Sequence, residues 1–259
     1  MHRNLLKLTD IIDQAGESLL NGYQPKHLHA LRVGVRRTRS MLKQVGSHRS
    51  SRYRKTWGGF AALTNEARDW DVFLITGKKL LSAEDYSKFE QLNQRQIQSS
   101  HDAVIEMLRS AHWSRHLAEW RHYLERADEN DPGEIPVRAS LKQALIRARL
   151  TLEFALAADD DHSWHRFRIA VKDVRYVADA SGADPATAEY LAGVIATCKS
   201  LQALLGSWHD TVVQLHMLDE VEAAPVHDRL RELIAQGKGL FLAQIRDNLA
   251  GNQLFSPEP

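Results

Sequence analysis

Cysteine, proline and strand-forming patterns are scarce in this sequence of 259 residues. The single cysteine, Cys198, excludes an internal disulfide, and its helical context A-T-C-K-S predicts a small buried side chain. Sustained two-residue alternation of β-branched residues is absent, which disfavours strands. No run approaches about 18 uncharged apolar residues, and the N-terminal stretch lacks the apolar core of a signal peptide. We therefore expect an all-α, cytoplasmic protein with no membrane span.

Acidic residues are missing from one long part of the chain. No Asp or Glu occurs between Glu17 and Glu66, although the whole chain carries 33 acidic residues against 34 Lys and Arg. Since the net charge is only +1, the distribution of charge is more informative than its sum. The acid-free part contains His29–Lys43, H-A-L-R-V-G-V-R-R-T-R-S-M-L-K. Its like charges repel one another on a helix, so the pattern predicts a site for an external anion.

The basic side chains of this segment recur at steps of three and four residues, which places them on one face of a helix. We call this set the first basic stripe: His29, Arg32, Arg36, Arg39 and Lys43. Apolar residues form a neighbouring stripe suited to a core: Leu28, Leu31, Val35 and Leu42.

The same pattern recurs in the second half of the chain. The sequence H-R-F-R-I-A-V-K-D-V-R-Y supplies a second basic stripe: His165, Arg168, Lys172 and Arg175. A further motif follows each stripe, L-T-N-E-A-R-D-W-D-V in the first half and L-L-G-S-W-H-D-T-V-V in the second. Two motifs repeated in the same order predict an internal duplication with a period of about 140 residues, too long for a solenoid repeat.

At these motifs the chain resembles the CHAD domain, the conserved histidine α-helical domain. The family signature is a histidine followed by R-V-x-x-R-R-x-R, a later R-D-x-D-V, and a weaker H-x-x-R-[VI]-x-x-K-x-x-R-Y. These elements match residues 29–39, 68–72 and 165–176. The resemblance implies two antiparallel helix bundles related by a pseudo-two-fold axis. It also implies that the basic helices line a central groove that binds inorganic polyphosphate.

The stripes and the resemblance together predict a polyphosphate site. Its expected residues are His29, Arg32, Arg36, Arg37, Arg39, Lys43, His165, Arg168, Lys172 and Arg175. Supporting residues are expected in the downstream motifs: Arg68, Asp69, Asp71, His209 and Asp210. In this hypothesis Asp69 and Asp210 hold basic side chains in position, as outer carboxylates orient metal ligands. The two stripe histidines contact phosphate, more strongly when protonated, and a purely structural role for them stays open.

Two other functions stay open from the sequence. One is a metal-dependent phosphohydrolase acting on polyphosphate or nucleotides, because His209-Asp210 resembles the metal-binding His-Asp pair of such enzymes. The further metal ligands that these enzymes need are not identifiable in the sequence. The other is a nucleic-acid-binding helical protein, which the lack of aromatics between the basic residues disfavours. No nucleophile–base pair, glycine-rich phosphate loop or metal cluster is recognisable. We therefore predict a binding protein without catalytic residues, metal or cofactor, located in the cytoplasm and at polyphosphate granules.

The predicted elements divide the chain into two halves of one domain. The acidic, Pro- and Gly-containing segment 129–136 predicts a linker between an N-terminal half, 1–128, and a C-terminal half, 137–259. Within these halves we expect a helical stretch over 50–76 interrupted at Gly58-Gly59, and separate helices over 185–206 and 207–222. The tail F-S-P-E-P is expected to fray. His112 and His116, four residues apart, are expected to be surface or packed residues instead of metal ligands.

Overall fold

The computed structural model describes residues 2–45, 47–126, 137–180 and 185–255, which form ten helices and no strand. The chain divides into two compact units, residues 1–133 and 134–259. The first unit contains α1 (His2–Asn21), α2 (Pro25–Val45), α3 (His48–Leu63), α4 (Asn65–Leu80), α5 (Ala83–Arg109) and α6 (Ala111–Arg126). The second contains α7 (Val137–Ala158), α8 (Asp161–Ala180), α9 (Pro185–Glu220) and α10 (Pro225–Ala250).

The all-α prediction is confirmed across these described ranges. No described helix is both long enough and apolar enough to cross a membrane. The predicted linker 129–136 lies outside the described residues. The internal duplication, its pseudo-two-fold axis and the shared groove stay predictions. Within each unit, however, the basic helix is the second helix and packs on the first, α2 on α1 and α8 on α7.

Helix α2 begins at Pro25, because proline has the backbone angle of a first helical residue and lacks only an N–H that would be unpaired there. Its apolar stripe is buried, with at most 1% of Leu28, Leu31, Val35 or Leu42 exposed. Close packing against α1 depends on Gly34, where an added Cβ would lie 2.7 Å from Ile12 Cγ1. The buried stripe fixes which face of α2 remains for the basic residues.

The core of the first unit is built around aromatic side chains. Trp57 on α3 contacts Trp113 and Trp120 on α6 edge to face, with ring centroids 5.8 and 6.1 Å apart. The Trp120 indole also donates a hydrogen bond of 2.8 Å to Thr9 on α1. Edge-to-face contacts add to the free energy gained from burying the rings. All three of these tryptophans are buried, with at most 5% of any side chain exposed.

The predicted interruption at Gly58-Gly59 is wrong, since α3 continues to Leu63 and the break falls at Thr64. Gly58 lies inside the helix and leaves room for the Arg39 guanidinium, since an added Cβ would be 3.3 Å from Arg39 Nη2. The break itself is stabilised from another helix: Arg32 donates hydrogen bonds to the Ala61 carbonyl and the Thr64 hydroxyl. A tertiary contact, not a glycine, decides where this helix ends.

The second unit has its own core around Trp164, Phe167 and Trp208, none of which is more than 1% exposed. Cys198 is fully buried there, as predicted. The carboxylate of Asp160 accepts a hydrogen bond of 2.7 Å from the Ser163 backbone N–H and so caps the N-terminus of α8.

Two predictions for the second unit are wrong. Helix α9 is one helix of 36 residues, without a break at Gly206-Ser207. Leu205 and Trp208 are fully buried on either side, and their packing outweighs the cost of about 1 kcal/mol for a glycine inside a helix. The predicted fraying also fails at Phe255, which is 2% exposed and packs edge to face on Phe167 at 5.8 Å; residues 256–259 lie outside the described ranges.

Candidate functional site

The first basic stripe lies on the face of α2 next to its buried apolar residues. Four of the predicted binding residues on α2 are exposed: His29, Arg36, Arg37 and Lys43. Arg32 and Arg39 are partly buried, and each reaches a neighbouring helix. The structure therefore separates the predicted cations of α2 into an exposed group and an anchored pair.

Arg32 is anchored at the junction of α3 and α4. Its Nη1 donates to the Ala61 carbonyl at 3.0 Å, the Thr64 hydroxyl at 2.6 Å and the Asn65 side-chain carbonyl at 2.9 Å. Burial lowers the pKa of Arg32, whereas the Asp69 carboxylate raises it. Asp69 thus lies within electrostatic range of a basic-stripe arginine. Arg32 holds the α3–α4 junction against the basic helix.

Arg39 places a partly buried guanidinium against Gly58 of α3. Its Nε is buried and has no hydrogen-bond partner within the part of the chain that the structure describes. A buried donor left unpaired costs free energy, and a charged one costs more. An anion that paired with this guanidinium would therefore gain more binding free energy than one that paired with a solvated arginine.

The R-D-x-D-V motif brings a further cation to the head of the first stripe. Burial lowers the pKa of His29, and the positive charges of Arg68, Arg36 and Arg32 lower it further, in that order. Arg68 belongs to α4, so the second motif of the first half meets the first motif at His29. In the free protein this histidine is consequently harder to protonate than a solvated one.

The second unit joins its two motifs in the same way. His165 of α8 and His209 of α9 form a hydrogen-bonded pair, with their Nδ1 atoms 3.3 Å apart and ring centroids at 4.7 Å. Burial, followed by the charges of Arg168, His165 and Lys172, lowers the pKa of His209 to about 3. Burial, Arg168 and Lys172 also lower the pKa of His165. The pair is therefore neutral near pH 7, and one ring donates to the other.

The remaining predicted residues of the second stripe are partly buried. Arg175 lies 3.6 Å from the Asp179 carboxylate, and its guanidinium carbon is 5.0 Å from the centre of the Tyr176 ring. Part of its charge is thus balanced within the same helix. Arg168 and Lys172 lie within electrostatic range of both histidines. Asp210 is half-buried next to His209 in α9.

Asp71 lies elsewhere, in the interior of the first unit. It is 1% exposed, accepts a hydrogen bond of 3.1 Å from the Tyr23 hydroxyl and has its other carboxylate oxygen 3.3 Å from His101 Nε2. The Tyr23 and His101 rings stack at 3.7 Å. Burial raises the pKa of Tyr23, and the Asp71 carboxylate raises it further, so the phenol stays protonated and donates. We name these three residues the Tyr23–Asp71–His101 cluster; it joins the α1–α2 loop, α4 and α5.

Metal-ligand geometry is not evident in the described ranges, where no group of three or more His, Cys, Asp or Glu side chains converges. His116 is 5% exposed and packs against Trp57 and Phe60, while His112 contacts Phe60, so both are packed as predicted. The pairing of His165 with His209 was not predicted, because the two residues lie 44 positions apart. The repeated two-motif order was the signal that could have suggested it.

Comparison with known proteins agrees with the all-α fold. The family model described as the CHAD domain matches residues 5–219. A crystal structure of the CHAD domain from the plant Ricinus communis matches with a TM-score of 0.66 and 25% sequence identity, covering 96% of this chain and 90% of that chain. No curated protein matches the sequence. Since the family model covers most of the chain, the protein belongs to the CHAD domain family.

Proposed function

We propose that this protein binds inorganic polyphosphate through its two basic stripes and does not cleave it. The observation that carries the proposal is the clustering of cations at the head of each stripe. Arg68 joins Arg32 and Arg36 around His29, and Arg168 and Lys172 flank the pair of His165 and His209. Burial lowers the pKa values of these histidines first, and the neighbouring cations lower them further, which indicates positive potential around each histidine.

A linear polyanion suits this arrangement. Stripe residues recur about every helical turn, roughly 5.4 Å along the axis, so a chain of phosphate groups can meet successive cations. Arginine offers a planar fork of donors to phosphate oxygens, and lysine offers a compact charge. The choice of polyphosphate over other polyanions rests on membership of the CHAD family and on the polyphosphate binding that the resemblance implies.

Calorimetric titration with polyphosphate of defined length tests the proposal. We expect saturable binding that weakens as salt rises, because bound cations release the counterions of the polyanion. The titration is run with and without Mg²⁺, and free phosphate is assayed afterwards. Absence of binding at low salt would overturn the proposal. Mg²⁺-dependent release of phosphate would instead favour a phosphohydrolase, and Asp69 and Asp210 would be the residues to replace next.

A competition experiment separates polyphosphate from nucleic acid. Single-stranded RNA of matched charge is added to the preformed polyphosphate complex at moderate salt. We expect little displacement, because the stripes carry no aromatic side chains on which bases stack. Displacement at equal phosphate concentration would favour the nucleic-acid-binding alternative.

Polyphosphate affinity is expected to rise as the pH falls. The pKa values of His29, His165 and His209 are lowered in the free protein, first by burial and then by neighbouring cations. A bound polyanion favours the protonated imidazoles and raises these pKa values, so binding takes up protons. Affinity should then increase by up to about tenfold per pH unit for each proton taken up.

Calorimetry between about pH 8 and pH 6, in buffers of different ionisation enthalpy, measures both affinity and proton uptake. Long polyphosphate chains keep the contribution of titrating end groups small. The variant His209→Asn should show a shallower pH dependence. An affinity that is flat or falls on acidification would show that the histidines take no part in binding.

A further inference from the structure

One edge of helix α3 faces the first basic stripe of α2. Arg32, in the first half of α2, donates to the Ala61 carbonyl near the end of α3 at 3.0 Å. Arg39, about two turns further along α2, lies against Gly58, which comes earlier in α3. Later positions of α2 therefore meet earlier positions of α3, so the two helices run antiparallel.

Arg54 continues this edge of α3 towards the start of the helix. It precedes Gly58 by four residues, which places it one turn away on the same face. On α2, Lys43 follows Arg39 by the same interval. Because the helices are antiparallel, both steps run in the same direction. Arg54 and Lys43 therefore lie at the same level of two helices, and the axes of packed helices are about 8–10 Å apart.

Arg54 is partly buried, yet it forms no hydrogen bond or ion pair with another residue that the structure describes. Neither α2 nor α3 contains a carboxylate to balance its charge, since the sequence has no Asp or Glu between Glu17 and Glu66. Burial makes a charged group costly unless a partner compensates it. Positive charge is thus in local excess where α2 meets α3. We call this line of cations the α2–α3 seam: Arg39, Lys43 and Arg54.

The other edge of α3 provides a contrast. Arg52 and Arg54 are two residues apart, so they point to nearly opposite sides of the helix. Arg52 is exposed and lies beside residues of α6, among them Glu119. The two arginines carry the same charge on the same helix and differ in the neighbour that they face. Arg52 is therefore a matched control for Arg54.

We propose that Arg54 binds phosphate groups of the polyphosphate chain, so that the first binding surface is the α2–α3 seam and not one face of α2 alone. This inference rests on the proposed function and adds to it a residue from a second helix. Arg54 offers a planar fork of donors to the phosphate oxygens, and Lys43 offers a compact charge from the other side. A polyanion held from both helices is oriented along the seam.

Calorimetric titration of Arg54→Gln with polyphosphate of defined length tests the inference. This variant keeps most of the apolar stem and removes the charge. We expect affinity to fall at least about tenfold, as for one lost charge-assisted contact, and the slope of log affinity against log salt to decrease by about one. Arg54→Lys keeps the charge without the fork and should lose affinity only a few-fold. Arg52→Ala should bind within about twofold of the wild type, because salt screens a charge that makes no contact.

A second measurement needs no substitution in the binding protein. The side-chain N–H signal of Arg54, followed by NMR in the wild type, should shift when polyphosphate is added. A wild type that binds while this signal stays unshifted would overturn the inference and leave the proposed function intact. Equal affinities of the wild type and a folded Arg54→Gln, or an equal loss in Arg52→Ala, would have the same meaning. A wild type that does not bind polyphosphate at all overturns both.

Discussion

Replacing Arg36 and Lys172 together by alanine is expected to weaken polyphosphate binding by about a hundredfold, at about tenfold or more for each lost charge-assisted contact. Arg36 is exposed on α2, and Lys172 is half-buried on α8. Neither belongs to the buried apolar core, so the melting temperature should stay close to that of the wild type. Each side chain contributes positive charge to the histidine at the head of its stripe. The variant therefore removes one cation from each proposed binding surface.

Titration at several salt concentrations measures the effect. The slope of log affinity against log salt should decrease by about two, because two fewer phosphates are neutralised. The control Arg95→Ala/Arg229→Ala removes the same charge from exposed positions of α5 and α10. An equal loss of affinity in this control would mean that net charge, and not the stripes, decides binding.

The two single variants carry further information. If one polyphosphate chain contacts both stripes, Arg36→Ala and Lys172→Ala each weaken the same binding event, and the stoichiometry stays unchanged. If each unit binds its own chain, each variant abolishes one of two binding events and leaves the other intact. The stoichiometry measured in the same titrations distinguishes these outcomes.

Replacing Asp71 by alanine is expected to lower the free energy of unfolding by about 2 kcal/mol, because it leaves a buried hydroxyl donor without its acceptor. The variant removes the acceptor of the Tyr23 hydroxyl and the carboxylate beside the His101 imidazole. Asp71→Asn should cost less, because an amide oxygen still accepts from Tyr23 while the charge is lost. Urea unfolding measures both changes, with exposed Glu106→Ala on α5 as the control.

The polyphosphate affinity of folded Asp71→Asn should stay within a few-fold of the wild type, since this carboxylate points into the Tyr23–Asp71–His101 cluster. Unchanged stability in Asp71→Ala would contradict a structural role for the cluster. A large loss of polyphosphate affinity in a fully folded Asp71→Asn variant would show that Asp71 takes part in binding.

The helices and the orientation of α2 were predictable because their signals are local. Pro25 marks a helix start, Ser82 accepts from the Asp85 backbone N–H, and a period of about 3.6 residues separates apolar from basic faces. The wrong boundaries depend on distant residues. Thr64 ends α3 with the help of Arg32 from another helix, and Gly206 is held helical by the core around it.

The same difference between local signals and contacts of distant residues applies to the candidate polyphosphate site. The sequence predicted the basic residues of both stripes, because both motifs repeat in order. It did not separate Asp71 from Asp69, because the contacts of Asp71 with Tyr23 and His101 join residues that are distant in sequence.

The burial of Phe255 bears on the order in which the chain folds during synthesis. The helices of the first unit end at Arg126, so its core is complete long before translation finishes. The core of the second unit includes Phe255, which packs against Phe167. That core cannot close until residue 255 has left the ribosome. If the chain folds from its N-terminus during synthesis, the first unit, with its basic helix α2, is folded before the second. At that stage the core of the second unit, which contains α8, still lacks Phe255.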